Sequence, residues 1–149
     1  MIRTLSFAVA LAAASALSVS GRDSDEAAIR RTVQYYFDGG RTGDSLALRK
    51  AFHPDARMLF VREGKLVVVP IGDYIRRVAE GKPAAGTPDS TQRRIASIDV
   101  VGDAAVARLE LVRPDMFVTD YMSLLRVDGQ WVIVNKIFDR QATQGNAGK

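Results

Sequence analysis

Among the charged residues of this chain, Asp120 has the setting that most invites chemistry. A hairpin turning at Asp128-Gly129 pairs Val127 with Gln130. Period-two alternation then puts Asp120, Met122, Leu124 and Arg126 on one face with Trp131, Ile133, Asn135 and Ile137. A carboxylate held among apolar groups is poorly solvated, which suits it to take a proton from carbon. Asn135, diagonal to it, would orient a ligand or satisfy the carboxylate. A register slip of one residue would instead turn Asp120 to solvent. Tyr36 stands in a stripe with Ile29, Val33 and Phe37, so its hydroxyl serves either as a donor to a bound molecule or as a satisfied core group. His53 is the sole imidazole, a natural base near neutral pH. Its context, Phe-His-Pro-Asp, reads more simply as a helix-ending turn whose ring caps backbone groups. Arg94 opens a strand on the inferred core face, where it would meet an anionic ligand or snorkel to the surface.

Composition narrows the chemistry further. The chain has 149 residues, 47% hydrophobic and 26% charged, which fits one domain with a core. It has no cysteine, so a disulfide scaffold, a thiolate metal site and a cysteine nucleophile are all excluded. A single histidine argues against a metal centre, and no Gly-rich phosphate loop, HExxH or GxSxG pattern occurs. The residues therefore call for no cofactor and no metal. The net charge of +4 comes largely from the pairs Arg30-Arg31, Arg49-Lys50, Arg76-Arg77 and Arg93-Arg94, with acids interspersed. That pattern reads as solvated helix and strand faces, not as a nucleic-acid stripe.

Residues 1–20 carry an early Arg3, an uncharged small-apolar run from Leu5 to Leu17, and small residues at signal-peptidase spacing. The run is shorter than the roughly 20 residues that span a bilayer, so it reads as a cleaved export signal without a stable membrane anchor. A periplasmic or secreted protein is expected, with a domain over 21–140 and a frayed tail over 141–149.

Several elements must position the candidate groups. Periodicity and capping predict a helix over Asp23–Gly40, started by Ser24 and ended by Gly39-Gly40. A short helix capped by Asp44 follows, with Leu46, Leu48 and Phe52 apolar, and His53-Pro54-Asp55 stops it. A hairpin over 56–61 and 65–69, a third helix over 71–79 and a loop over 80–92 come next. Two further hairpins, 93–101 with 104–112 and 116–127 with 130–138, complete the chain. In the first of these, Ala96, Ile98 and Val100 share a core face with Ala105, Ala107 and Leu109. Both faces of the second are substantially apolar, so one is expected to pack on helices and the other on a second copy of the protein.

Tyr36-Phe37 before Gly39, Gly43-Asp44, Phe52-His53-Pro54-Asp55-Ala56, Asp120-Tyr121, Leu124-Leu125, Asp128-Gly129, Trp131 and Val134-Asn135-Lys136 recur in this order across most of residues 24–138. In them the chain resembles the nuclear transport factor 2-like (NTF2-like) superfamily, and within it the bacterial family labelled "putative lumazine-binding". The resemblance implies an α+β cone: three N-terminal helices packed on a curved, mostly antiparallel sheet around a pocket open at one end. It also implies a small apolar or mixed-polarity ligand, with Asn135, Trp131, Met122, His53 and Arg94 as lining candidates. Relatives of the ketosteroid isomerase type use a carboxylate base and a helix-1 tyrosine donor, roles that would fall to Asp120 and Tyr36. Those enzymes use a second pocket acid, for which this sequence offers no counterpart. Three functions are therefore open: a binding protein, a cofactor-free isomerase, dehydratase or cyclase, and a structural domain whose cone is filled by Met58, Phe60 and Met122.

Overall fold

The computed structural model describes residues 10–143, with side chains from residue 21 onward. Three helices, α1 (Ala10–Thr42), α2 (Ser45–Ala51) and α3 (Ile71–Glu80), pack on one face of a six-stranded sheet. The strands are β1 (Phe52–Arg62), β2 (Lys65–Pro70), β3 (Gln92–Val101), β4 (Ala104–Val112), β5 (Met116–Val127) and β6 (Gln130–Ala142). Their order is β2-β1-β6-β5-β4-β3, and every neighbouring pair is antiparallel except β1 with β6. This is the α+β layout expected from the order of elements.

Local chemistry explains most boundaries. The β1–β2 and β5–β6 connections are two-residue turns with both residues at positive φ, Glu63-Gly64 and Asp128-Gly129, the backbone that tight hairpins require. Asp44 Oδ1 accepts from the backbone N–H groups of Leu46 and Ala47, capping α2 as its sequence predicts. Ile29, Val33, Tyr36 and Phe37 of α1 meet Ala107, Leu109, Met122, Leu124 and Ile133 of the sheet in one buried core. Leu46, by contrast, points to solvent.

Several expectations need correction. Helix α1 does not start at Asp23: its backbone is helical from Ala10, through an alanine-rich run of high helix propensity. Ser24 is consequently mid-helix, and its hydroxyl donates to the Gly21 carbonyl. Of the segment read as an export signal, residues 1–9 lie outside the described residues. Nor do Gly39-Gly40 end the helix. Gly39 allows close packing instead, since a Cβ there would sit 2.6 Å from Leu48 Cγ, while Gly40 faces open space. The chain leaves α1 at Gly43, with φ +71°, whose N–H donates to the Gly39 carbonyl. Strand β1 opens at Phe52, directly after α2. Strand β6 continues to Ala142, so the residues read as the start of a tail, Gln141 and Ala142, are paired with Phe117 and Met116.

Two register shifts matter more. In β6, Leu124 faces Ile133 but Ser123 faces Asn135, leaving Val134 as an extra residue. Alternation reverses beyond it, so Lys136 and Phe138 enter the helix-covered side while Asn135 and Ile137 leave it. In β3, Ile95 faces Leu109 and Ser97 faces Arg108, with Ala96 extra, so Ile95 takes the core position expected for Ala96. Arg94 moves to the outer face with its partner Glu110.

Candidate functional site

Between α1, α3 and the concave side of the sheet lies a cavity of about 350 Å³. Tyr36 and Gly40 of α1, Tyr74, Arg77 and Val78 of α3, and Met58, Phe60 and Arg62 of β1 form part of its wall. The rest comes from Leu111 and Arg113 near the end of β4, Val118 and Asp120 of β5, and Lys136, Phe138 and Arg140 of β6. Met58 and Phe60 stand in this wall and leave the space open. Met122 is fully buried in the core and does not reach it.

A compact polar cluster forms the floor. Asp120 is 0% exposed and Lys136 6%. The Tyr36 hydroxyl donates to Asp120 Oδ2 at 2.7 Å and accepts from Lys136 Nζ at 2.7 Å. Lys136 Nζ also lies 3.0 Å from Asp120 Oδ1, closing a three-membered ring of charge and hydrogen bonds. That last contact is an ion pair of hydrogen-bond length without hydrogen-bond alignment, so Lys136 neutralises Asp120 Oδ1 without supplying it a well-aligned donor. Each element delivers its member through its own periodicity. Tyr36 comes from the buried stripe of α1, Asp120 from β5 alternation, and Lys136 from β6 after the extra residue.

Burial and charge bias these groups in opposite ways. Burial pushes the Lys136 ammonium below its ordinary lysine range, and the Asp120 carboxylate pulls back against that shift. Burial, then the Asp120 charge, holds the Tyr36 phenol well above the usual tyrosine range. Tyr74 is pushed up to about 12 for the same two reasons. The Lys136 ammonium also sits over the rings of Tyr36, Phe138 and Tyr74, at 4.9, 5.0 and 5.9 Å from their centroids. The cluster thus offers an ion-paired carboxylate oxygen with acceptor capacity left beside the Lys136 ammonium, while the single Tyr36 proton is given to Asp120 Oδ2.

A pH experiment follows from the Tyr74 shift. Its folded value lies above the unfolded value of 10, so the folded state holds the proton more tightly. The stabilisation is complete below pH 10 and is lost as pH rises toward 12. Tyr74→Phe should therefore flatten the alkaline fall in stability across that window by about 2 kcal/mol, read by urea denaturation at stepped pH. Lys136, shifted the other way, adds a rise in stability as pH climbs toward its unfolded value. Lys136→Met should remove that rise.

The structure divides the remaining predicted site residues. Asp120 and Tyr36 are brought together. Asn135 is paired with Ser123 on the outer face, away from Asp120, because the extra Val134 turns it over. Trp131 and His53 line a second, wider hollow with Thr32, Tyr35, Arg49 and Lys50. There the Trp131 indole donates to Asp25 Oδ1 at 3.1 Å. His53 Nδ1 accepts from the Asp55 N–H, the turn-capping role its context suggests. Arg94 lies exposed on the outer face and pairs with Glu110, so it does not reach the cavity mouth. Sequence reasoning missed Lys136, Tyr74, Arg62, Arg77, Arg113 and Arg140. A lone lysine in the apolar run Val132–Phe138 was a signal for the first of these, whereas the arginines come from four separate elements.

Comparison with known proteins places this geometry. An NTF2-like protein of unknown function from Shewanella baltica OS155 superposes with a TM-score of 0.71 at 30% identity, covering 80% of this chain and 96% of its own. Another from Methylobacillus flagellatus KT gives 0.68 at 32% identity, over 80% and 94% of the two chains. The chain is also 23% identical over 118 residues to a protein named aldolase FrzH from Cladobotryum sp., over 77% of this chain and 90% of the other. Residues 24–139 match the family described as "Putative lumazine-binding". With its six-stranded sheet, three covering helices and enclosed cavity, the chain belongs to that family and to the NTF2-like superfamily.

Proposed function

We propose that this protein binds a small molecule of mixed polarity in the cavity floored by Asp120, Tyr36 and Lys136. The observation that carries the reading is the buried Asp120–Lys136–Tyr36 cluster on the cavity wall, in which Asp120 Oδ1 is ion-paired to Lys136 yet has no well-aligned donor among the described residues. Such a group is costly to bury unless something completes it. Apolar walls with a few convergent polar groups are the ordinary build of a ligand site. Native mass spectrometry of the purified protein should reveal a co-purifying small molecule, lost in Asp120→Asn. A wild-type protein that carries none, and binds none from a metabolite extract, would overturn the reading.

The same oxygen favours a second reading, cofactor-free acid/base catalysis. Asp120 would take a proton from a carbon next to a carbonyl, and Lys136, or Tyr36 once its proton turns away from Asp120 Oδ2, would donate to the enolate oxygen. The aldolase-named relative supports this class of chemistry, since aldol reactions pass through removal of such a proton. Incubating the co-purified ligand in D2O should exchange its acidic C–H with wild type, and at least about a hundredfold more slowly with Asp120→Asn.

Two further features belong to this reading. The outer sheet face exposes Val106, Tyr121, Leu125 and Ile137, an apolar patch that supports a homodimer through that face. Tyr121→Glu with Ile137→Glu should convert a dimer to a monomer in sedimentation, with little loss of fold. The N-terminal segment supports export to the periplasm or medium, to be read by fractionation and N-terminal sequencing of the mature protein. Among the described residues, no helix is long and apolar enough to cross a membrane.

A further inference from the structure

The charges around the cavity are one-sided. Among the described residues Asp120 is the only acid in its wall, and Lys136 already faces it. Above them stand Arg62, Arg77, Arg113 and Arg140, brought from β1, α3, the β4–β5 turn and β6. Elsewhere on the surface Arg30, Arg76, Arg94, Arg108 and Arg126 each lie against a carboxylate, whereas Arg31 and Arg49 at the second hollow and Arg57 on β1 have no ion pair among the described residues. Among the described residues none of the four mouth arginines makes an ion pair. Two of them are held in place by stacking: the Arg62 guanidinium carbon lies 5.2 Å from the Phe60 ring centroid, and that of Arg140 4.9 Å from Phe138. Those two rings stack on each other at 4.8 Å, so the guanidinium groups and the apolar wall form one surface. The field of the arginines also reaches inward, for Arg113 and Arg140 both favour the charged forms of Tyr74 and oppose that of Lys136.

Unpaired like charges gathered at one opening repel one another, and the arrangement gains most from an anion between them. Guanidinium groups match the planar or trigonal oxygens of carboxylate, phosphate and sulfonate. We infer that the cavity selects molecules with an apolar, ring-sized body and an acidic group, the body lying against Phe60, Phe138, Met58 and Leu111 and the acidic group among Arg62, Arg77, Arg113 and Arg140. This rests on the ligand-binding reading and adds the charge class of the ligand. An acid at the mouth would also orient the body, with its far end toward Asp120 Oδ1.

Two dyes of one shape test it: anilinonaphthalene sulfonate and its uncharged parent phenylnaphthylamine, titrated by fluorescence. Wild type should bind the sulfonate at least about tenfold more tightly than the neutral dye, with the preference shrinking as salt is raised. In Arg113→Gln/Arg140→Gln the preference should fall to within about twofold while affinity for the neutral dye is kept. Arg31→Gln/Arg49→Gln, which removes the same charge at the second hollow, should leave it intact. Equal affinity of wild type for the two dyes, or a preference abolished only by the second pair, overturns the inference and leaves the cavity reading standing. Binding of neither dye to the folded wild type overturns both.

Discussion

Asp120→Leu should cost about 3–5 kcal/mol of stability at neutral pH, and Lys136→Met about the same, because each leaves one unpartnered charge in a buried site. The double variant Asp120→Leu/Lys136→Met should recover most of that loss, since two apolar side chains fill the floor without a charge to desolvate. Urea denaturation of the four proteins gives the coupling directly. Independent losses in the double variant would show that the two groups do not act as a pair. The cycle also separates stability from binding. A recovered fold with an apolar floor should bind the neutral dye yet lose the natural ligand, because the acceptor oxygen is gone.

The second large effect is expected at Trp131, and it should be purely structural. Trp131→Ala removes a 4%-exposed indole from beneath α1, together with its hydrogen bond to Asp25 and its contact with the Arg126 guanidinium. A loss of about 3–5 kcal/mol is expected in denaturation. The milder Trp131→Phe keeps most of the ring and should lose less. Below its unfolding transition that variant should bind either dye as wild type does, since Trp131 lies in the second hollow and not in the cavity wall. Altered dye affinity in the folded Phe variant would return Trp131 to the ligand site.

The difference between these residues shows what could be read from the sequence. Element types, their order and the boundaries of β4 and β5 follow from alternation and turn residues, and the hairpin pairing of Val127 with Gln130 is correct. That pairing places Asp120 on the inner face, the same face as Leu124 and Ile133. Beyond the Leu124–Ile133 pair it fails, because one extra residue at Val134 reverses every side chain after it. Nothing in Ile-Val-Asn-Lys announces such a shift, since both phases of the strand offer apolar residues. Asn135 was consequently placed beside Asp120, where Lys136 stands. Arg94 was misplaced by the same event at Ala96. The arginine cluster was illegible for another reason. Its members look like solvated surface charges one at a time, and only the curvature of the sheet gathers them.

The last strand of the chain is not at the edge of the sheet. Strand β6 lies between β1 and β5, and the β1–β6 ladder is parallel, joining segments separated by α3 and two hairpins. Closing so long a stretch of chain is entropically slow, so this central pairing should be the late event of folding. Lys136, Phe138 and Arg140 arrive with it. Until β6 is seated the sheet remains two separate halves, and the cavity lacks Lys136, Phe138 and Arg140. The cavity is therefore completed by the same late step that joins the sheet.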